Sequence, residues 1–197
     1  MEPGTTAVIP AAGRSSRMGV FKPLLPFEAT TLIERAIANA EHGCDEVIVV
    51  AGYRGAELID HLALNKRSEP RPQLRVVLNH DWERGMLSSI QRGAREVRTE
   101  YFFVSPADMP YLTPEIYTEL ALNPPRFAAF PEHKGRRGHP VLISSSLIPA
   151  LLEADPEAYG SMRRFLAEYA TETRTVAGDE ILIDLDTLEQ YHSARRR

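Results

Sequence analysis

Glu46-Val47-Ile48-Val49-Val50 is a β-branched, apolar run without polar alternation. A strand with one face in water alternates, so a run like this needs cover on both faces. That requirement points to a sheet sandwiched between helices, and the rest of the chain agrees with it. Ala7-Val8-Ile9 begins a first strand, and Leu74 to Leu78 and Tyr101 to Val104 repeat the buried-strand signal. Helical stretches near 55–64 and 87–97 lie between them. Thr31-Leu32-Ile33-Glu34 reads as a capping box, the threonine and glutamate satisfying backbone N–H groups at a helix start. The helix it opens carries Leu32, Ile33, Ala36, Ile37 and Ala40 on one stripe, and Gly43 supplies a stop. Strands separated by helices of this length imply right-handed crossovers and a mostly parallel sheet.

The second half is less regular. A short helix is predicted after Thr113-Pro114-Glu115, with strands at Phe127-Ala128-Ala129-Phe130 and Val141-Leu142-Ile143. Between those strands Glu132 to Gly138 is polar enough to be a mobile loop. Helices near 145–153 and 160–170, a strand at Ile181-Leu182-Ile183 and a last helix from Thr187 complete the reading. There is no repeat, low-complexity segment or long linker. The expectation is one α/β domain over 1–197, with its core at about 5–192 and a basic tail at 193–197.

Composition narrows the function classes. Lysine plus arginine is 23 and aspartate plus glutamate 27, so the net charge is −4. General nucleic-acid binding needs a basic face, and that balance argues against it. Cys44 is the only cysteine, which excludes an intrachain disulfide or a cysteine-based zinc site, and it reads as a small buried residue. No apolar run approaches a membrane span, and the first residues lack the features of a signal peptide. A reduced, cytoplasmic location is the expectation by elimination. The terminal Arg195-Arg196-Arg197 reads as a frayed tail.

One local imbalance stands out against the total. Residues 3 to 27 contain no acid but hold Arg14, Arg17 and Lys22. This stretch follows the first strand as Pro10-Ala11-Ala12-Gly13-Arg14-Ser15-Ser16-Arg17-Met18-Gly19, then Phe21-Lys22-Pro23. Small residues let backbone N–H groups approach a ligand, and the cations favour an anion. In a parallel sheet such a loop lies at the carboxyl end of the strands, where ligands bind. The pattern is neither a P-loop nor G-x-G-x-x-G. On these features alone an anion site and an ordinary glycine turn with solvated cations both remain open.

The loop string closely resembles the signature of nucleotidyltransferases that act on the molybdenum cofactor, most of all the cytidylyltransferases among them. Four further segments resemble that family in matching order. Gly85-Met86-Leu87-Ser88-Ser89 opens a helix and resembles a segment that lies against the nucleotide, with Asn79 matching a polar position near the base. Asp108-Met109-Pro110 resembles the motif whose aspartate binds the metal. Gly138-His139-Pro140-Val141 resembles a segment lining the pocket of the second substrate. Asp184-Leu185-Asp186-Thr187-Leu188-Glu189 resembles a final acidic motif, with Leu188 and Gln190 departing from it. Asp186 is favoured as the second metal ligand, with Asp184 as fallback, over the alternative that Asp186 merely caps the last helix.

The resemblance implies a three-layer Rossmann-like fold of the nucleotide-diphospho-sugar transferase type. It implies transfer of a nucleoside monophosphate, most readily CMP from CTP, to the terminal phosphate of molybdopterin, releasing pyrophosphate. Mg²⁺ on Asp108 and Asp186 is the implied cofactor, and a recipient molybdenum enzyme is a further implied partner. Lys22 and Arg14 would stabilise charge, and N–H groups from Ala11, Ala12 and Gly13 would cradle the triphosphate beside Arg17. Guanylyl transfer, sugar-phosphate nucleotidyl transfer and a non-catalytic carrier of the cofactor are the alternatives. The Asp155 to Arg164 stretch departs from the family and leaves the acceptor open.

Overall fold

The structure, a computed structural model, describes residues 4–16, 18–64 and 73–194. Arg17 and the terminal arginines lie outside the described residues. The chain runs β1 (Thr5–Pro10), a small hairpin of β2 (Pro26–Phe27) and β3 (Thr30–Thr31), α1 (Leu32–Glu41), β4 (Glu46–Ala51), α2 (Gly55–Leu64) and β5 (Gln73–Leu78). It continues through α3 (Met86–Ala94), β6 (Tyr101–Val104), α4 (Pro114–Ala121), β7 (Ala128–His133), β8 (Arg136–Arg137) and β9 (Val141–Ser144). The last elements are α5 (Ile148–Glu153), α6 (Pro156–Tyr159), α7 (Met162–Leu166), β10 (Thr171–Thr175) and α8 (Leu188–Ala194).

The main sheet has the order β10-β7-β9-β6-β1-β4-β5, with β8 paired to β7. β6, β1, β4 and β5 pair in parallel, as does β10 with β7, whereas β9 is antiparallel to both its neighbours. Alternation along the buried strands divides the core. Ala7, Ile9, Val47 and Val49 face α1, α2 and α4, and Val8, Ile48 and Val50 face α3, α5 and α7. The uninterrupted apolar run of β4 is the consequence, since both its faces are covered.

From β1 the chain winds outward through β4 to β5, then returns to place β6 on the other side of β1. The loops leaving β1 and β6 therefore diverge at the carboxyl ends of adjacent parallel strands, and a crevice opens between them. A third apolar cluster of Met18, Phe27, Leu32, Leu185 and Tyr191 fastens α8 to the β2–β3 hairpin beside that crevice. The Tyr191 hydroxyl donates to the Pro26 carbonyl across this seam.

Several local expectations need correction. The capping box is present, with both Thr31 and Glu34 bonds made. Gly43 does not end α1 by a left-handed turn. The cap is His42 in right-handed geometry, and a β-carbon at Gly43 would sit 2.6 Å from that of Tyr117. Residues 132–138 are not a loose loop. β7 and β8 form a hairpin whose turn, Lys134 and Gly135, has φ of 49° and 78°, the backbone twist that suits a two-residue connection. Ile181-Leu182-Ile183 is not a strand, because residues 180–182 make a 3-10 turn that buries Ile181. The helix expected near 160–170 runs only from Met162 to Leu166, and β10, which was not expected, follows it from Thr171.

Candidate active site

The residue 10–23 loop is pinned at its root. The Ala11 N–H donates to the Val50 carbonyl at 2.9 Å, and the Ala12 carbonyl accepts from the Tyr53 N–H at 2.9 Å. Gly52 permits this approach, for its β-carbon would lie 2.6 Å from that of Ala12 and 2.7 Å from that of Trp82. The Ala11 N–H is thus spent on the sheet and is not free for a ligand. Ser15 takes a left-handed φ of 54°, and its hydroxyl accepts from the Lys22 N–H at 3.3 Å, closing the loop on itself.

Lys22 opens a short 3-10 turn followed by Pro23, and its side chain is buried. Its ammonium donates to Asp108 at 2.6 Å and to Asp186 at 3.1 Å. Residues 86 positions and 164 positions away in sequence are thereby gathered on one cation. Asp108 leaves the end of β6, and the Asp108 carbonyl accepts from the Leu185 N–H at 3.0 Å, which sets Asp186 opposite it. The last helix is capped by Thr187 and Gln190, which exchange bonds of 2.8 and 3.2 Å, so capping is not the task of Asp186. Gln190 keeps that cap although it departs from the family's acid. Asp184 is the outer carboxylate. Partial burial, then Asp186 and Asp108 nearby, raise its pKa above the ordinary aspartate value.

These groups border a cavity of about 250 Å³, walled also by Gly13, Ser15, Ser16 and Met86. Met86 belongs to the first turn of α3, which Gly85 (φ 96°) caps without a side chain. Two carboxylates share one lysine here, with Asp184 beside them, so the cluster is short of positive charge.

Other expected contacts are redirected. Arg14 does not join Lys22. Its guanidinium pairs with Glu83 at 2.8 Å and lies 4.9 Å from the Trp82 ring centre and 5.8 Å from that of Tyr53. The physical reason is local, since Tyr53 and Trp82 pack at 5.6 Å and offer an aromatic face that a solvated guanidinium covers well. Asn79, Ser88 and Ser89 turn inward. Asn79 donates to the two hydroxyls at 3.0 and 3.1 Å and accepts from the Asp81 N–H at 3.0 Å, so these side chains shape the loop before Gly85. Gly138 and Pro140 are buried, and His139 is half-buried with its N–H on the Ile181 carbonyl at 3.0 Å. Burial holds the His139 imidazole below its ordinary range against the pull of Asp108 and Asp184. Cys44 is buried and its thiol is pushed well above the usual range, as a packing residue. Sequence reasoning missed Tyr53, Trp82 and Glu83 as holders of Arg14. The single tryptophan, three residues before Gly85, was the available signal.

Fold and site together define a protein of the nucleotide-diphospho-sugar transferase fold. Residues 7–174 match the model of the MobA-like NTP transferase domain, and the chain belongs to that family. The molybdenum cofactor cytidylyltransferase of Escherichia coli K12 is 34% identical over 191 residues, covering 96% of this chain and 95% of its own. Nicotine blue oxidoreductase of Paenarthrobacter nicotinovorans is 32% identical, with 96% of each chain covered. A probable molybdenum cofactor guanylyltransferase of Methanosarcina acetivorans is 36% identical over 121 residues, 59% of this chain and 53% of its own. Among solved structures, Rv0371c of Mycobacterium tuberculosis H37Rv superposes with a TM-score of 0.78 at 21% identity, each chain fully covered. A manganese complex of that protein superposes at 0.73 with 19% identity and the same full coverage. No helix among the described residues is long and apolar enough to cross a membrane.

Proposed function

We propose that this protein transfers a nucleoside monophosphate, CMP from CTP, to the terminal phosphate of a molybdopterin-type acceptor with release of pyrophosphate. The observation that carries the reading is Lys22 held between Asp108 and Asp186 at the edge of the cavity beside the residue 10–23 loop. Cytidine as the base rests on the Ala11-Ala12-Gly13 form of the loop and on the cytidylyltransferase relative.

The donor set suits Mg²⁺. Among the described residues no three histidine, cysteine, aspartate or glutamate side chains group to hold an ion alone, and two hard carboxylates plus substrate phosphates is how Mg²⁺ is commonly bound. Asp108 and Asp186 would hold it, and it would supply charge neutralisation at the phosphate oxygens. The chain's own groups do the rest. Amides from Ala12 onward orient the triphosphate, and Lys22 neutralises charge that accumulates as the bond from the α-phosphorus to pyrophosphate breaks. The attacking phosphate monoester has a second pKa near ~6 and is already an anion at neutral pH. A general base is not needed, and alignment is the main requirement.

The test is pyrophosphate release from CTP, GTP, ATP and UTP with Mg²⁺ and molybdopterin. Release with CTP in clear excess is expected. Release with GTP alone would move the protein to the guanylyl branch. Because one relative is named an oxidoreductase, a parallel assay supplies reduced nicotinamide with a quinone as electron acceptor and no triphosphate. Oxidation there, with no pyrophosphate released in any arm, would overturn the proposal.

A further inference from the structure

β10 is one edge of the main sheet and pairs, among the described residues, with β7 alone. The Val176 N–H donates to the Glu132 carbonyl at 2.9 Å, and backbone groups alternate in direction along a strand. Glu172 and Arg174 therefore turn theirs to β7, while Thr171, Thr173 and Thr175 turn theirs outward, where no strand meets them among the described residues. The Thr173 carbonyl accepts a long bond of 3.4 Å from the Arg174 guanidinium and keeps a second lone pair. The opposite edge differs, for the Leu78 carbonyl of β5 is taken by Arg92 at 3.1 Å. Thr171 also walls a second cavity, of about 220 Å³, between the β7–β8 hairpin, the start of β9 and α7. Its floor is Phe130 and Met162, with Arg137, His139 and Arg163 around it.

An edge strand with charged residues ordinarily resists pairing, because a second copy brings like charge against like. The two charges of β10 escape that rule. Glu172 and Arg174 have opposite signs and stand on either side of Thr173, on one face of the sheet. Two copies placed antiparallel about Thr173 set Glu172 opposite the partner's Arg174, and Arg174 opposite the partner's Glu172. Within one chain the two already meet at 2.6 Å, so the four charges alternate in sign around the dyad. Thr173 then faces its own copy in a hydrogen-bonded pair, as Thr171 faces the partner's Thr175, which uses every outward backbone group of the strand. Arg174 also donates to the Asn123 carbonyl at 3.1 Å, and the neighbouring Leu122 is 58% exposed. A second copy over this edge covers apolar area there as well.

We infer that β10 is a self-association edge, which joins a second copy of this chain as an antiparallel strand with its dyad at Thr173 and continues the sheet across both protomers. The pairing stands apart from the proposed transfer reaction. It reaches the site through Thr171, whose hydroxyl accepts from Arg137 at 3.2 Å, so a paired β10 braces one wall of the second cavity in each protomer. A five-residue strand makes a small interface, and the dimer is expected to have a dissociation constant of about micromolar order.

Sedimentation equilibrium of the full chain from about 1 to 200 µM reads the dimer, with thermal unfolding of each variant as the check on folding. Thr173→Pro removes the central donor of the dyad without taking a bond from β7, since that N–H points outward. Arg174→Glu and Glu172→Arg each set like charge against like. Each of the three is expected to raise the dissociation constant by at least about tenfold. An equimolar mixture of Arg174→Glu and Glu172→Arg should recover the dimer, because acids then face bases in both pairs. The chain carrying both substitutions should recover it too. A wild type that stays monomeric across this range overturns the pairing and leaves the edge to a strand of another protein. A dimer unchanged in all three variants also overturns it, by placing the interface elsewhere. Folded single variants that weaken the dimer and fail to recover it when mixed overturn the register about Thr173.

Discussion

Around Lys22 the protein meets its ligand with backbone. The loop root is bonded to β4, its cation is buried between two carboxylates, and short turns leave little freedom. Around Arg137 and Arg163 it offers long side chains from a two-stranded hairpin and a five-residue helix, over an apolar floor. Rigid amides suit a triphosphate, whose geometry is the same for every nucleotide. On the proposed reading the chemistry falls at the stiff end of the cleft.

The sharpest way to break that contrast is at the stiff end. Asp108→Ala and Lys22→Ala are each expected to lower kcat by about 10²–10³, the usual loss for one preorganised electrostatic group. Circular dichroism should be unchanged. Lys22→Ala also removes the cation shared by Asp108 and Asp186, so Mg²⁺ without nucleotide should raise its Tm more than that of the wild type. Wild-type turnover in Asp108→Ala would remove that carboxylate from the reaction.

Gly138→Ala tests the junction between the two ends. Its methyl group meets backbone at Ile181, which cannot rotate aside as a side chain can. Overpacking of this kind costs about 1–3 kcal/mol, read as a lowered Tm. Both KM values should rise, because the displaced segment carries Asp186 as well as the wall of the second cavity. An unchanged Tm would show that the turn yields freely and that the two cavities are not coupled through it.

The stiff end was also the legible one. β1, β4 and β6 are recognisable because burial on both faces leaves apolar runs, and the loop string and Asp108 follow two of those strands within a few residues. What escaped depends on partners distant in sequence. β10, Thr-Glu-Thr-Arg-Thr, is an edge strand with no apolar alternation to announce it. Ile181 looks like strand but is a single buried anchor in a turn. Asn79 and Ser88 have the chemistry of ligand contacts, yet their polar atoms are used within the protein. Arg14 carries the right charge at the right place in the string, and only the Tyr53–Trp82 face shows where its side chain goes.

Arg14 supplies a smaller test. Its ion pair with Glu83 is exposed on both sides, and such pairs are worth about 0–1 kcal/mol, with a similar amount from the aromatic face. Arg14→Ala should therefore change the nucleotide KM by less than about tenfold and leave kcat alone. A kcat loss as deep as that of Lys22→Ala would show that Arg14 leaves Trp82 and joins the phosphates during turnover.

The smallest effect concerns His139, where the two ends meet. Burial lowers the affinity of its imidazole for a proton, so the unfolded chain protonates first as pH falls. Its contribution to stability is intact above about pH 6.5, the ordinary histidine value, and is lost as pH drops through the folded value. Asp184 has the opposite sign. Its raised pKa means that the folded chain binds that proton more tightly, so it favours folding as pH falls toward the ordinary carboxylate range. The histidine window opens first on acidification, just below the ordinary histidine value. His139→Gln should therefore lose less Tm than the wild type between about pH 7.5 and 5.5. Equal losses in both proteins would mean that His139 titrates as a solvated side chain, and the wall between the two cavities would then be open to water.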